Sequence, residues 1–360
     1  MPKILIASLC SFFASLFILL LIYWLSKNNH HLFTASQIKT KQAIHNHYIS
    51  RIGGLGIYIG LIFSVFIGTE INSISYIDWF FIQLLALPFL TGFFEDISGK
   101  IRASTRFILI ILNCTIAIYI FGILIIKIDI PGIDSLLAIP LIAFIFTVFA
   151  ISGLTNAFNI IDGLNGLTSM TLAALSYIGF LQDDASIVLL SASFIASSLA
   201  FLALNYPRGM IFLGDGGAYL FGFGIGIGMI SIYASHAYPV ISPWFFIAIN
   251  IYPITETLFT IFRRSLYQKR NPLLSDRLHL HSLLYRRVLH RPKYALEAEQ
   301  IAANSKAAPY LWLLNFIAVV PAVIWWYSTP IMVITCLLYI ACYLWHYYRL
   351  VHFRSLPWLS

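Results

Sequence analysis

Apolar runs of about 20 residues recur along almost the whole chain, and each is long enough to cross the hydrocarbon core of a bilayer as a helix. Eleven such runs predict spans at 4–25, 51–69, 77–94, 104–126, 137–153, 163–181, 186–204, 216–234, 243–262, 309–327 and 330–348. In lipid every backbone polar group must be satisfied within the protein, so such a chain folds as helices or as a closed barrel, and runs of this length favour helices. Composition agrees. Hydrophobic residues make up 60% of the 360 residues and charged residues only 10%, against about 25% charge in a soluble domain. The fold class is therefore an all-α polytopic integral membrane protein, read as one membrane domain over 1–360, with a long loop at 263–308. The first run is too long for a signal peptide and no small-residue cleavage site follows it, so it is kept as a span.

Charge distribution predicts orientation. With the N-terminus outside, 20 of the 22 Lys and Arg residues fall in inner loops, and only Lys3 and Lys127 lie outside. The positive-inside rule then puts the N-terminus on the periplasmic side and the C-terminus in the cytoplasm. The net charge of +8 is thus a topology signal with a share for lipid headgroups, and it does not imply nucleic acid. Cys10, Cys114, Cys336 and Cys342 lie in apolar runs without metal-ligand spacing and read as small buried hydrophobes.

Against this background the polar clusters stand out. The stretch Asn156–Gly166 reads N-A-F-N-I-I-D-G-L-N-G, with Asn156, Asn159, Asp162 and Asn165 three residues apart. If it is helical, Asn159 and Asp162 share a face. A polar seam between membrane helices is the plain alternative. Adjacent carboxylates Glu95 and Asp96 end the third run, followed by Lys100 and Arg106. Asp215 lies within L-G-D-G-G, and D-R-L-H-L-H carries His279 and His281 before Arg286 and Arg287. Glu95 and Asp96 cannot face the same way on a helix, and Asp96 with Lys100 could form an ordinary i,i+4 pair. The glycines Gly222, Gly224, Gly226 and Gly228 read as helix packing. Glu256 sits deep in the ninth run, facing the inner cavity or pairing with a basic group.

The predicted topology puts all four clusters on the cytoplasmic face. Carboxylates, carboxamides, a glycine-flanked aspartate and a basic histidine segment on one face suit a divalent metal and a diphosphate. Magnesium takes hard oxygen ligands from one or two carboxylates plus substrate phosphates, and Arg and His suit phosphate oxygens.

The chain resembles the polyprenyl-phosphate N-acetylhexosamine-1-phosphate transferases, the family that includes phospho-N-acetylmuramoyl-pentapeptide transferase. The resemblance runs through R-I-G-G-L (Arg51–Leu55), the carboxylate pair, N-A-F-N-I-I-D-G-L-N-G, F-L-G-D-G-G and D-R-L-H-L-H. It is closest to the branch that initiates O-antigen, common-antigen or teichoic-acid synthesis. It implies transfer of a sugar phosphate from a UDP-N-acetylhexosamine to undecaprenyl phosphate at the bacterial inner membrane. UMP is released, with Mg²⁺ (or Mn²⁺) as cofactor. It also implies metal binding by Asp215 and Asn159, catalytic roles for Asp96, Glu95 and Asp162, and substrate binding by Asn156, Lys100, Arg106, His279 and His281. Glu95, Asn165 and Ser282 depart from the commonest family residues, aspartate, aspartate and histidine. The sugar, the glycan pathway and homodimer formation stay open. The rival reading is a secondary transporter of an anionic solute, whose ionisable groups lie near the midplane of repeated halves. A catalytically dead homologue acting as an assembly platform is a third reading.

Overall fold

A computed structural model describes residues 2–28, 49–71, 76–166, 185–234, 241–271, 276, 278–289 and 297–352. These residues are helical with connecting turns. The helices are α1 (Pro2–Asn28), α2 (Gly53–Glu70), α3 (Tyr76–Ser98), α4 (Ala103–Phe121), α5 (Ile133–Leu137), α6 (Pro140–Ile161) and α7 (Ala185–Asn205). They continue with α8 (Gly214–Ala234), α9 (Pro243–Ile249), α10 (Ile251–Phe262), α11 (Leu280–Leu284), α12 (Glu297–Ile324) and α13 (Thr329–Val351). Among the described residues nine helices are long and apolar enough to span a membrane, and α9 with α10 forms a tenth candidate bent by 79°. The protein is a multi-pass membrane protein. Ten of the eleven expected runs thus have a helical counterpart. The other, 163–181, lies mostly outside the described residues.

Helix α8 is the axle. Its spanning window is 83% buried, against 28–50% for the other single-helix candidates, and α3 and α6 pack along it. The packing is close because glycine removes the side chain at the contact. A Cβ on Gly222 would lie 2.5 Å from Thr155 Cα, and one on Gly226 would lie 3.1 Å from Ile151 Cγ2, both on α6. Gly222, Gly224 and Gly226 are therefore packing positions, as their spacing implied, whereas Gly228 has no such neighbour. On the far side of the bundle α1 packs against α2 and α7. Outward faces carry exposed Phe17, Leu112, Tyr119 and Leu337, as lipid contact requires.

Three boundaries differ from the sequence reading, each for a local reason. The ninth run breaks at Asn250 because Pro253 has no N–H for the Ile249 carbonyl and its ring crowds that carbonyl. Asn250 occupies the break, donating through Nδ2 to Phe246 O at 3.0 Å. The fifth run continues past 153 to Ile161, so the amide stretch ends a helix instead of opening one. Asp162 is already non-helical (φ −73°, ψ 65°), and Gly166 turns the chain at φ 78°. The common face expected for Asn159 and Asp162 therefore holds only up to the last helical turn. Finally, the 263–308 segment contains α11 and the first turns of α12.

Gly222→Ala should lower the thermal midpoint in detergent by the equivalent of about 1–3 kcal/mol, the usual cost of overpacking. Gly228→Ala meets nothing within 4 Å and should leave the midpoint unchanged or raise it slightly. Equal effects at the two positions would show that α8 does not pack on α6 through Gly222.

Candidate functional site

The first turn of α8 is gripped from three sides. Asp96, in the last turns of α3, accepts the Asp215 N–H on Oδ1 (3.0 Å) and the Gly216 N–H on Oδ2 (2.9 Å). These are among the first N–H groups of a helix, which have no partner within it, and a carboxylate there also meets the positive end of the helix dipole. The first residues of α2 pair with the approach to α8: Gly53 N–H donates to Phe212 O and Gly54 N–H to Leu213 O, both at 2.9 Å. Only glycine fits at Gly214, where φ is +77° and a Cβ would lie 2.6 Å from Asp96 Oδ2. The L-G-D-G-G turn, the R-I-G-G-L segment and the end of α3 are one packed unit.

Two guanidinium groups converge on Asp215. Arg106 bonds its Oδ2, and Arg51 NH2 lies 3.4 Å from its Oδ1 while Arg51 Nε stands 4.0 Å from Asp96 Oδ1. Glu95, pointing elsewhere on the helix, accepts the Ile101 N–H at 2.7 Å and closes the turn after α3. The adjacent carboxylates thus have separate partners, as helix geometry demands, and Asp96 is not engaged by Lys100. Lys100 is exposed on that turn and is not part of the cavity wall.

That wall encloses a cavity of about 1610 Å³. Its polar end is lined by Arg51, Glu95, Asp96, Arg106, Asn156, Asn159, Asp162, Asp215, His279, His281 and Arg286. All the other sequence-predicted site residues therefore meet at one cavity. Its remaining wall is apolar, with Phe149, Ala157, Ile254 and Leu258, and reaches Lys127, Ile128, Tyr233 and Trp244 at the opposite end of the spans. There Trp244 Nε1 donates to Ile128 O at 2.8 Å and Tyr233 OH to Lys127 O at 3.1 Å.

The amide stretch divides by task. Asn156, Asn159 and Asp162 line the cavity; Asn165 also borders it but is buried and anchors the turn. Its N–H donates to Asn304 Oδ1 at 3.0 Å and its Nδ2 donates to Ser305 Oγ at 3.0 Å. Gly166 N–H donates to Asn205 Oδ1 at 2.6 Å. A carboxylate at 165 could not make the Nδ2 donation, so this chain uses an amide there to tie α6 to α12.

The histidine segment docks on the same turn. The His281 ring lies against Gly163, where a Cβ would be 2.6 Å from Nε2. Its Nδ1 is 3.1 Å from Tyr252 OH, and its ring stacks on His279 at 5.3 Å. Burial, then the neighbouring His279 charge, pushes the His281 pKa down to about 3, so His281 is neutral at physiological pH. Asp276 bonds Arg263 and accepts the Leu278 N–H at 3.1 Å. Burial raises its pKa, but those bonds and nearby positive charges outweigh burial and leave it below the usual carboxylate range. Sequence reasoning did not assign site roles to Arg51, Tyr252 or Asp276. Arg51 lies in the R-I-G-G-L motif, and that placement was the available signal. Tyr252 carries no signal in an apolar run.

As a metal site the arrangement is not a preformed cage. Among the described residues no group of three or more His, Cys, Asp or Glu side chains is placed to hold an ion, and both Asp215 oxygens face guanidinium groups. The donors still suit magnesium, which takes one or two protein oxygens and leaves the rest to phosphate and water. Asp215 and Asn159 border the cavity into which phosphate and water would bring the rest.

Residues 79–234 match the family described as Glycosyl transferase family 4. A 123-residue stretch is 31% identical to the decaprenyl-phosphate N-acetylglucosaminephosphotransferase of Mycolicibacterium smegmatis, covering 30% of this chain and 30% of that relative. The family match over residues 79–234 and the similarity to that relative support the resemblance to the polyprenyl-phosphate N-acetylhexosamine-1-phosphate transferases. The segment contains Glu95–Asp96, the amide stretch and Gly214–Gly217. The Arg51 and His279 motifs lie outside it and reach the same cavity through the fold.

A pH test isolates the buried histidine. Its folded pKa of about 3 lies below the unfolded value of about 6.5. Between the two the unfolded chain binds more protons. Its contribution to stability is therefore fully present above pH ~6.5 and is lost as pH falls toward 3. The wild-type thermal midpoint should fall from pH 6.5 to 4.5, and His281→Gln should flatten that slope. An unchanged slope in the variant would mean that His281 is not buried neutral.

Proposed function

We propose that the protein transfers an N-acetylhexosamine-1-phosphate from a UDP-sugar to undecaprenyl phosphate and releases UMP. The observation that carries this reading is the cavity, whose charged end and long apolar wall together suit a diphosphate donor and a phosphate on a prenyl chain. The similar protein of Mycolicibacterium smegmatis is a decaprenyl-phosphate N-acetylglucosaminephosphotransferase by name, which supports the same chemistry. In this reading the charged end faces the cytoplasm of the bacterial inner membrane, with the N-terminus outside, the orientation that the distribution of basic residues favours.

The reaction is a single displacement. An acceptor phosphate oxygen attacks the β-phosphorus of the sugar nucleotide, and the bond from that phosphorus to the bridging oxygen breaks. UMP leaves with the electron pair. A phosphate monoester has its second pKa near about 6, so the nucleophile is largely ionised and a strong base is unnecessary. Asp96, with both oxygens on the α8 amides, aims Asp215 and leaves the attack to the acceptor itself. Glu95 fixes the turn that leads to Arg106. Arg51, Arg106, His279 and Arg286 carry the negative charge of the phosphates, which is the main source of barrier reduction in phosphoryl transfer. Asn156, Asn159 and Asp162 face the nucleotide. Asp215 with Asn159 would hold Mg²⁺ (or Mn²⁺), which when bound neutralises charge on the diphosphate. Lys100, on the exposed turn, is left to lipid headgroups.

The test is UMP release by purified protein with undecaprenyl phosphate, across a panel of UDP-N-acetylhexosamines and a Mg²⁺ titration. Asp215→Asn keeps the shape and removes the charge. It should cost several kcal/mol of barrier, about a thousandfold in rate, while the protein stays folded in detergent. Turnover within about tenfold of wild type at low Mg²⁺ would make Asp215 a structural residue. A transporter would move solute without forming UMP.

A further inference from the structure

The broken span carries a buried acid that the reaction above does not use. Glu256 lies on α10 just beyond the break, with its side chain 0% exposed, and does not border the cavity. An isolated carboxylate at such a place is costly and needs partners. Glu256 has them on one short piece of chain. Its Oε1 is 3.0 Å from His279 Nδ1, and its oxygens accept the Leu280 N–H at 3.1 and 3.3 Å. His279 is the residue at the start of α11 and makes no cap of its own. Glu256 therefore caps α11 and grips the ring beside it. One turn further along α10, Thr260 Oγ1 stands 3.3 Å from the same ring nitrogen.

We infer that Glu256 is a positioning residue, keeping a proton on His279 Nδ1 so that Nε2 is the ring nitrogen presented to the substrate cavity. An ionised carboxylate only accepts, so a short contact to Nδ1 requires that nitrogen to donate. The ring borders the cavity while its Nδ1 edge faces the buried acid. The His281 ring stacks on the same imidazole, 5.3 Å between centroids. What Nε2 addresses rests on the transferase reading. The Glu256–His279 pairing does not.

The experiment has two arms. The first uses full-length protein labelled with ¹⁵N-histidine in detergent at pH 8, with the His279 signals assigned by their loss in His279→Gln. Wild type should show Nδ1 protonated, and Glu256→Leu should move His279 toward the Nε2–H tautomer. An unprotonated Nδ1 in wild type overturns the inference, and that spectrum decides alone if Glu256→Leu does not fold. The second arm is a double-mutant cycle on UMP release. Glu256→Gln should lower kcat about 10- to 100-fold, as loss of a histidine-orienting partner does, and should cost nothing further in His279→Gln. Penalties that multiply would mean that Glu256 acts independently of His279, which overturns it. Absence of UMP release by wild type would defeat the transferase reading and leave the first arm to judge the pairing.

Discussion

Asp96 accepting two amides from the start of α8 is the interaction on which the rest of the site depends. Burying a carboxylate costs several kcal/mol. Two hydrogen bonds to an ionised acceptor return roughly 1.5–3 kcal/mol each, and the helix terminus and Arg51 add to that. These contacts offset part of that cost, and the acid orders its surroundings in return. It fixes the depth and rotation of the most buried helix, and with them the position of Asp215. Because α3 and α6 both pack on α8, the same contact sets the spacing between Asp96 and the Asn156–Asp162 wall.

Charge pairing then prepares the cavity. Asp215 lies between Arg51 and Arg106, so two guanidinium groups are already gathered where a diphosphate would sit. Their planar donor sets match phosphate as well as carboxylate. An entering diphosphate can exchange places with Asp215 as their partner, which frees a carboxylate for a cation. The opposite wall is set by a separate unit, in which Glu256, Tyr252 and Gly163 fix the two histidines. Neither unit alone encloses the cavity.

The spans were legible because apolar length is a one-dimensional signal, and α8 differs from its neighbours in its glycines. Convergence of Glu95, Asp96, Asp162, Asp215 and His279 on one face followed from helix alternation. What could not be read is which polar groups serve one another. Nothing in the sequence pairs Asn165 with Asn304 and Ser305, or Asp96 with the amides of 215 and 216, because those contacts depend on interhelix distances. The break at Asn250 was signalled by Pro253, but proline is common in membrane helices and its effect is decided by what else can satisfy the freed carbonyl. Lys100, beside the carboxylate motif, is exposed on the turn closed by Glu95 and does not border the cavity.

The most direct measurement of the central claim is the position of the diphosphate in an experimental structure of the protein bound to a UDP-N-acetylhexosamine, determined by electron cryomicroscopy with magnesium present. The expected result is density for the diphosphate at the start of α8, in contact with Arg51 and Arg106. The lipid would then lie along the wall formed by Phe149 and Leu258. A nucleotide bound elsewhere, with Asp215 still paired to both arginines, would contradict the assignment of this cavity as the transfer site.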